Sequence, residues 1–426
     1  MDPDPSRWWA GTLAVERLAA DAVGATTQAL TQLAAARGRL LEVRTSPALI
    51  AGSFAAIDHL RVDGRTSAGW APLSGFVQSA DGWVRLHGNY PHHAAAITRG
   101  LGVTTGEELR DAVRSMPAQA VEDAVVAAGG IAAVVRTEEE WHAHPHGHAT
   151  ASEAWLTVVP GGSRAALPPA DLPLDGVRVL DLTRVIAGPS CTQVFACLGA
   201  DVLRVDPPGR PELLDHYLSN GMGKRSAEID LEVNLDAVRT ELLPYADVVV
   251  GYRPGALARY GLDPATLHDE RPDLVIGSLS AWGEHGPWGA RAGFDSIVQA
   301  ASGIAAVLID DAGRPGALPV QALDHATGYE LAAALVDLVR LQQGGIVHAS
   351  LLGAARRLLA MPRAEQPEDV VLDVPTSTVE SPYGELTVTP LPFTVDRQTI
   401  TRAVAGYGAA RPAFAATTPD LEGPWT

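Results

Sequence analysis

Val177-Arg178-Val179-Leu180-Asp181-Leu182 and, after a helix-length gap, Gly199-Ala200-Asp201 running into Val202-Leu203-Arg204-Val205 form the stretch on which the fold turns. Both runs are short, apolar and rich in valine and leucine, the pattern of strands buried on both faces. The segment between them, from about Pro189 to Leu198, predicts a helix. The alternation continues downstream, with a helix near 232–243 and strands at Asp247 to Val250 and Leu274 to Leu279. Strands alternating with helices predict an α/β protein with a Rossmann-like parallel sheet. The dinucleotide fingerprint Gly-x-Gly-x-x-Gly is absent after the first strand, which argues against a nicotinamide cofactor.

Upstream of this stretch, residues 160–175 carry Gly161-Gly162 and several prolines and read as a linker. Before the linker, 11–38 reads as a helix and Leu40 to Val43 as a short strand. Gly75-Phe76-Val77 and Trp83-Val84-Arg85-Leu86, joined by a turn at Asp81-Gly82, read as a strand pair. Thr105-Gly106-Glu107-Glu108 resembles a capping box, and Ile131 to Val135 is a further strand candidate. The chain thus divides into a helix and strand segment of large-domain type (1–74), a smaller α+β domain (75–160), a Rossmann-like domain (175–355) and a C-terminal extension returning to the large domain (356–426). Residues 17–45 faintly echo 321–352, each a helix followed by a Gly-containing apolar run.

The 426 residues suffice for a sizeable core, and 46% hydrophobic with 19% charged residues excludes a disordered chain. A net charge of −18 disfavours nucleic acid or an anionic membrane surface as partner. No apolar run is long enough to span a bilayer, and the acidic start Met1-Asp2-Pro3-Asp4-Pro5 is unlike a signal peptide, so a cytoplasmic protein is expected. The two cysteines, Cys191 and Cys197, share one helical stretch and read as small buried residues.

From 177 onward several further motifs occur in order. Val179 to Leu182 runs on into Thr183-Arg184-Val185-Ile186-Ala187-Gly188-Pro189. Leu198-Gly199-Ala200-Asp201 runs through to Asp206-Pro207-Pro208-Gly209. Then come Gly223-Lys224-Arg225-Ser226 with Asp230-Leu231, Tyr252-Arg253-Pro254-Gly255 with Tyr260-Gly261-Leu262, Ser278 to Pro287, Gly293-Phe294-Asp295, and Asp324 with Gly328. As an ordered set they resemble the family III CoA-transferases, the group that includes formyl-CoA and carnitine CoA-transferases and α-methylacyl-CoA racemases. The first half is similar to that family's later segments: Asp81-Gly82-Trp83-Val84 resembles the opening strand of its small domain, and Trp141 to Pro145 the end of it. The order of parts looks rearranged or duplicated.

The resemblance implies CoA transfer from an acyl-CoA thioester to a free carboxylic acid, through an aspartyl-CoA thioester on Asp324. It implies no metal or redox cofactor, coenzyme A as substrate only, and a homodimer of interlocked chains. From the bare sequence Asp324 could equally be a helix N-cap; if it is the nucleophile, the helix dipole would keep it ionised. In the repeat, Ala20 falls opposite Asp324. For CoA, Arg184, Ala187 and Gly188 follow the first strand, where ligands sit in open parallel sheets, and Gly188 would let the backbone approach. Arg204, Lys224 (the only lysine of the chain), Arg225, Tyr252, Arg253 and Arg291 complete the candidate CoA contacts. Gly251 stands where the family usually has Asn.

Two other readings remain open. An acyl-CoA racemase or isomerase would use a histidine base where Phe294 stands, unless His325 or His285 substitutes. A non-catalytic acyl-CoA-binding paralogue would keep the sheet alone. The alternating His142, His144, His146 and His148 would share one face of an extended strand and could bind a metal, although a polar loop is the commoner use. Trp70, Trp83, Trp141, Trp282 and Trp288 could stack on adenine or pack a core.

Overall fold

The computed structural model describes residues 6–251, 254–364 and 370–415. Its centre is a seven-stranded sheet. In chain order its strands are β1 (Leu156–Ser163), β2 (Arg178–Asp181), β3 (Asp201–Asp206), β4 (Arg225–Glu228), β5 (Val248–Gly251), β6 (Val275–Ser280) and β7 (Gln343–Ser350). Across the sheet they run β4-β3-β2-β5-β6-β7-β1. All are parallel except β1, which pairs antiparallel with β7. The six parallel strands have the order of a doubly wound nucleotide-binding sheet, whose direction of winding reverses between β2 and β5.

The valine-rich strands earn this place by burying both faces. Val179, Val202, Val248, Val275 and Val347 point into one apolar core, and Leu180, Leu203, Val249, Ile276 and Ile346 into the other. On the first face lie helices α1 (Val15–Ala36), α2 (Ala187–Cys197), α3 (Asp295–Ser302) and α4 (Ala322–Arg340). α1 packs along α4, and the Thr26 hydroxyl donates to the Tyr329 carbonyl at 2.7 Å. Gly328 lets α4 close on α2, since a Cβ there would stand 2.4 Å from the Ala187 carbonyl oxygen. The expected helix near 232–243 forms as Leu231–Ala237 and then unwinds into a wider turn over Val238–Leu242.

The expected linker is shorter than its glycines suggested. Gly161 and Gly162 lie inside β1, because a Cβ on Gly161 would meet the Pro272 carbonyl oxygen at 2.4 Å. The chain after β1 is tied down by Arg37, whose guanidinium donates to the carbonyls of Pro168, Pro173 and Asp175. The expected strand from Leu40 reduces to Val43–Arg44, paired with Thr394–Val395, and Leu40 is exposed.

A separate antiparallel sheet of Gly75–Gln78, Trp83–Leu86 and Ala132–Val134 carries its own small core. The helices Pro91–Leu101, Gly106–Ser115 and Ala118–Ala127 cover it, and Thr105 and Glu108 form the expected reciprocal cap. Leu386–Val388 pairs with Ser377–Val379 on one side and with Arg61–Val62 on the other, and single bridges join Val404 to Met222 and Ala409 to Ala227 of β4. Among the described residues no helix is long and apolar enough to cross a membrane.

Candidate active site

A cavity of about 720 Å³ opens at the C-terminal ends of the parallel strands. Loops after β2 and β5 both line it, so it occupies the point where the winding reverses, the expected ligand position in such sheets. Asp324, Arg184, Ala187 and Gly188 are brought together in its wall.

Asp324 stands in the first turn of α4 and is buried, with 6% of its surface exposed. The helix N-terminus is not its own partner. The backbone N–H groups of Leu323 and Asp324 donate to Asp295 Oδ2 at 2.8 and 3.1 Å, and the Gln299 amide donates to Asp295 Oδ1. No such donor reaches the Asp324 carboxyl among the described residues. Burial first and the neighbouring Asp295 second push Asp324 well above the usual carboxylate range. Burial also raises Asp295, to about 6, against the pull of its three donors and of Arg85. Asp295 is therefore the ionised member of the pair and Asp324 holds the proton. This corrects the expectation that the helix dipole keeps Asp324 ionised: a second carboxylate has taken the dipole.

The loop between β2 and α2 is strained. Val185 has φ 70°, rare for a β-branched residue, and its N–H donates to Glu212 Oε2 at 2.7 Å. Glu212 also accepts from the Tyr90 hydroxyl, which brings the smaller domain to the cavity wall. Gly188 lines the cavity and is also a packing position, since a Cβ there would stand 2.3 Å from the Thr183 side chain. Arg184 lies over the Tyr90 ring at 5.2 Å, donates to the Pro211 carbonyl at 2.8 Å and comes within 3.8 Å of Asp206 and Glu212.

The other expected CoA contacts lie elsewhere, each held by a carboxylate. Arg204 forms a two-point pair with Asp206 (2.7 and 2.9 Å) and reaches Glu212. Lys224 is fully buried and donates to Asp181, Pro189 and Thr192. Arg225 holds Asp201 at the sheet edge. Arg291 bridges to Glu122 at 2.9 Å and covers the Trp288 ring at 4.0 Å, tying the smaller domain to the larger. Tyr252 and Arg253 lie outside the described residues.

The four histidines from 142 to 148 are not in a strand: His142 lies in the short helix Glu138–Ala143, His146 and His148 in Pro145–Thr150, and His144 caps both between them. His144 stacks on Trp141, and His146 is fixed between the Trp282 carbonyl and the Trp288 N–H. Among the described residues no group of three or more His, Cys, Asp or Glu is placed to hold a metal ion. Trp141, Trp282 and Trp288 pack together, and among the described residues no tryptophan lines the cavity. His325 is a core residue, its Nδ1 3.2 Å from Ser190 Oγ, and burial lowers it to about 3. His285 pairs with Glu153 at an exposed position.

The lining residues that the sequence reading missed include Tyr90, His92, His93, Arg210 and Arg259. His93 packs edge-on to Phe294, and His87 stacks flat on the same ring at 3.8 Å. Burial, then His92, Arg184 and Arg210, lower His93 to about 4, so it is a neutral imidazole at neutral pH. The run His87-Gly88-Asn89-Tyr90-Pro91-His92-His93 was the available signal, but no spacing in it specifies a site.

A parallel sheet with a carboxyl-bearing cavity at its winding reversal defines an α/β protein with a candidate site where such sheets place their ligands. Residues 174–382 match the model of CoA-transferase family III. A probable fatty acyl-CoA transferase of Mycobacterium tuberculosis is 36% identical over 192 residues, covering 41% of this chain and 48% of that one. The succinate–glutarate CoA-transferase of Agrobacterium fabrum is 34% identical over 218 residues, 46% of this chain and 54% of that one. A crystal structure of the mycobacterial protein aligns over 45% of this chain and 56% of its own, at 36% identity and a TM-score of 0.41. The chain spans about half the length of the curated relatives it matches.

Proposed function

We propose that this protein moves CoA from an acyl-CoA thioester to a free carboxylic acid, with Asp324 carrying the CoA between two half-reactions. The observation that carries the reading is Asp324 itself, a carboxyl in the wall of a large cavity with its neighbouring helix donors diverted to Asp295. Once ionised, Asp324 attacks the thioester carbonyl and expels CoA thiolate, leaving a mixed anhydride. The thiolate attacks the aspartyl carbonyl of that anhydride, which releases the donor's carboxylate and leaves an aspartyl-CoA thioester. The acceptor carboxylate then attacks that thioester and frees the thiolate again. Attack of the thiolate on the acceptor's acyl carbon gives the new acyl-CoA and restores the Asp324 carboxylate. The proton held by Asp324 at rest leaves before the first step. Arg184, Arg210 and Arg259 supply positive charge in the cavity wall for the phosphates of CoA. As written, the reaction needs no metal or redox cofactor. A homodimer belongs to the same reading, and sedimentation velocity checks it.

The test is intact-protein mass spectrometry after incubation with a panel of acyl-CoA esters. A CoA-sized adduct, labile to hydroxylamine and absent from Asp324→Ala, is the expected result. Binding of CoA without an adduct from any donor would remove the covalent mechanism. His93, a neutral imidazole beside Phe294, favours one second reading, abstraction of the α-proton of a bound acyl-CoA. Deuterium uptake at that carbon in heavy water, lost in His93→Ala, would mark it.

A further inference from the structure

The cavity has a direction, because its lining residues leave successive strands of one sheet edge. Six parallel strands at the usual spacing make that edge about 24 Å long. The arginines of the lining leave the β4 side and the middle: Arg210 follows β3, Arg184 follows β2, and Arg259 lies in the chain after β5. The opposite end differs. Leu279 and Ala281 close β6, Leu351 follows β7, and Ala292 and Phe294 stand beside them. Asp324 belongs to this second end, since α4 leads into β7 and its N-terminus is held by Asp295, the neighbour of Phe294. His93 packs on Phe294 at the border of the two ends, since Arg184 and Arg210 also act on it. Among the described residues no arginine or lysine lines the β6–β7 end.

This asymmetry bears on the acyl group and rests on the proposal that the cavity takes acyl-CoA. With the phosphates at the arginine side, the acyl group extends from the reacting carbonyl at Asp324 along Phe294, Ala292 and Leu351. A dicarboxylic acyl chain would carry a second anion into an end that already holds Asp295 and Asp324, where no described arginine or lysine lines the cavity and the buried Arg85 nearby already acts on Asp295. An aliphatic chain would instead cover that surface, gaining about four-fold in affinity per buried methylene. We infer that the site takes an aliphatic, monocarboxylic acyl group and discriminates against acyl chains that end in a carboxylate.

The experiment is calorimetric titration of the full chain with two stable thioethers, S-hexyl-CoA and S-(5-carboxypentyl)-CoA, with CoA itself as control. The hexyl compound is expected to bind at least ten-fold more tightly than the carboxylated one. Phe294→Arg, and separately Ala292→Arg, should shrink that ratio by ten-fold or more. A ratio near one or reversed in the wild type, with CoA bound, overturns this inference and leaves the transferase reading standing. Failure of CoA and both thioethers to bind overturns the two together.

Discussion

Asp181 and Asp324 are both buried carboxyls near the C-terminal edge of one sheet, and the fold treats them in opposite ways. Asp181, at the end of β2, accepts from the Thr183 N–H and hydroxyl, from the Thr192 hydroxyl and from Lys224 Nζ. Burial works against its charge, but Lys224, Arg204 and the hydroxyls outweigh it and hold the carboxylate below its usual range. Lys224 fares less well: burial lowers it to about 8, since one carboxylate contact at 3.3 Å does not replace its water. Asp324 receives none of this and keeps its proton. A carboxyl the fold uses as structure is surrounded by donors, whereas one that must attack a carbonyl is left without them, facing a cavity. The only lysine of the chain is spent on the first task.

The largest effect that would sharpen this contrast is on chemistry. Asp324→Ala is expected to lower transfer by about 10³-fold or more, as loss of a nucleophile does, while CoA affinity stays within a few-fold. Coupled turnover and calorimetry on one preparation check both halves. Asp181→Ala should act on stability instead. It strands the Lys224 ammonium in the core and should cost about 3–5 kcal/mol in urea denaturation. Replacing both partners, Asp181→Leu with Lys224→Met, should recover much of that loss. A mild Asp181→Ala would break the comparison, because the two carboxyls would then not differ in their hold on the fold.

The next effect is smaller and has the opposite sign. Asp295 and Asp324 are both raised by burial, so their folded values lie above the ordinary carboxylate value. Their destabilising contribution is absent below about pH 4 and accumulates as pH rises from there toward the folded values. Asp324→Asn keeps the shape and removes the proton that folding obliges Asp324 to hold. It should stabilise the protein by on the order of 1–3 kcal/mol at pH 8 and by nothing at pH 4. Adduct formation in the wild type should rise with pH above the ordinary carboxylate range, because Asp324, whose proton is held by burial and by Asp295, must lose it before it attacks. Equal stability of the two proteins at both pH values would show that Asp324 is not strained at rest.

The strands around Val179, Val202 and Val248 were legible because a strand buried on both faces is written as an uninterrupted apolar run. Asp324 was legible from the order of motifs, but its protonation was not: Asp295, 29 residues away, takes the helix donors, and no local rule ties the two. The basic residues were the least legible. An arginine shows its charge but not its partner, and Arg291 finds Glu122 across 169 residues of chain. Arg204 meets Asp206 two residues on, a pairing the sequence did display. Gly188 read as a place for a ligand to approach, and only the fold shows that Thr183 also packs against it. Tyr90, His92 and His93 belong to a smaller domain brought to the cavity by packing, so nothing near β2 in sequence announced them.

The smallest effects separate two arginines that a motif alone would rank alike. Arg225 pairs with Asp201 at 2.6 Å and donates to the Ala413 carbonyl, a third exposed and away from the cavity. Its replacement by alanine should cost no more than about 1 kcal/mol of stability, as partly exposed pairs do, and leave CoA affinity unchanged within two-fold. Arg210 lines the cavity, is exposed, and stands close enough to His92 and His93 to disfavour their protonation. Arg210→Ala should weaken CoA binding by about three- to ten-fold at low salt, with the difference narrowing as salt screens the phosphates. Titrations at two ionic strengths on both variants check this. Loss of affinity in Arg225→Ala but not in Arg210→Ala would move the nucleotide end of the ligand from the cavity to the outer edge beyond β4.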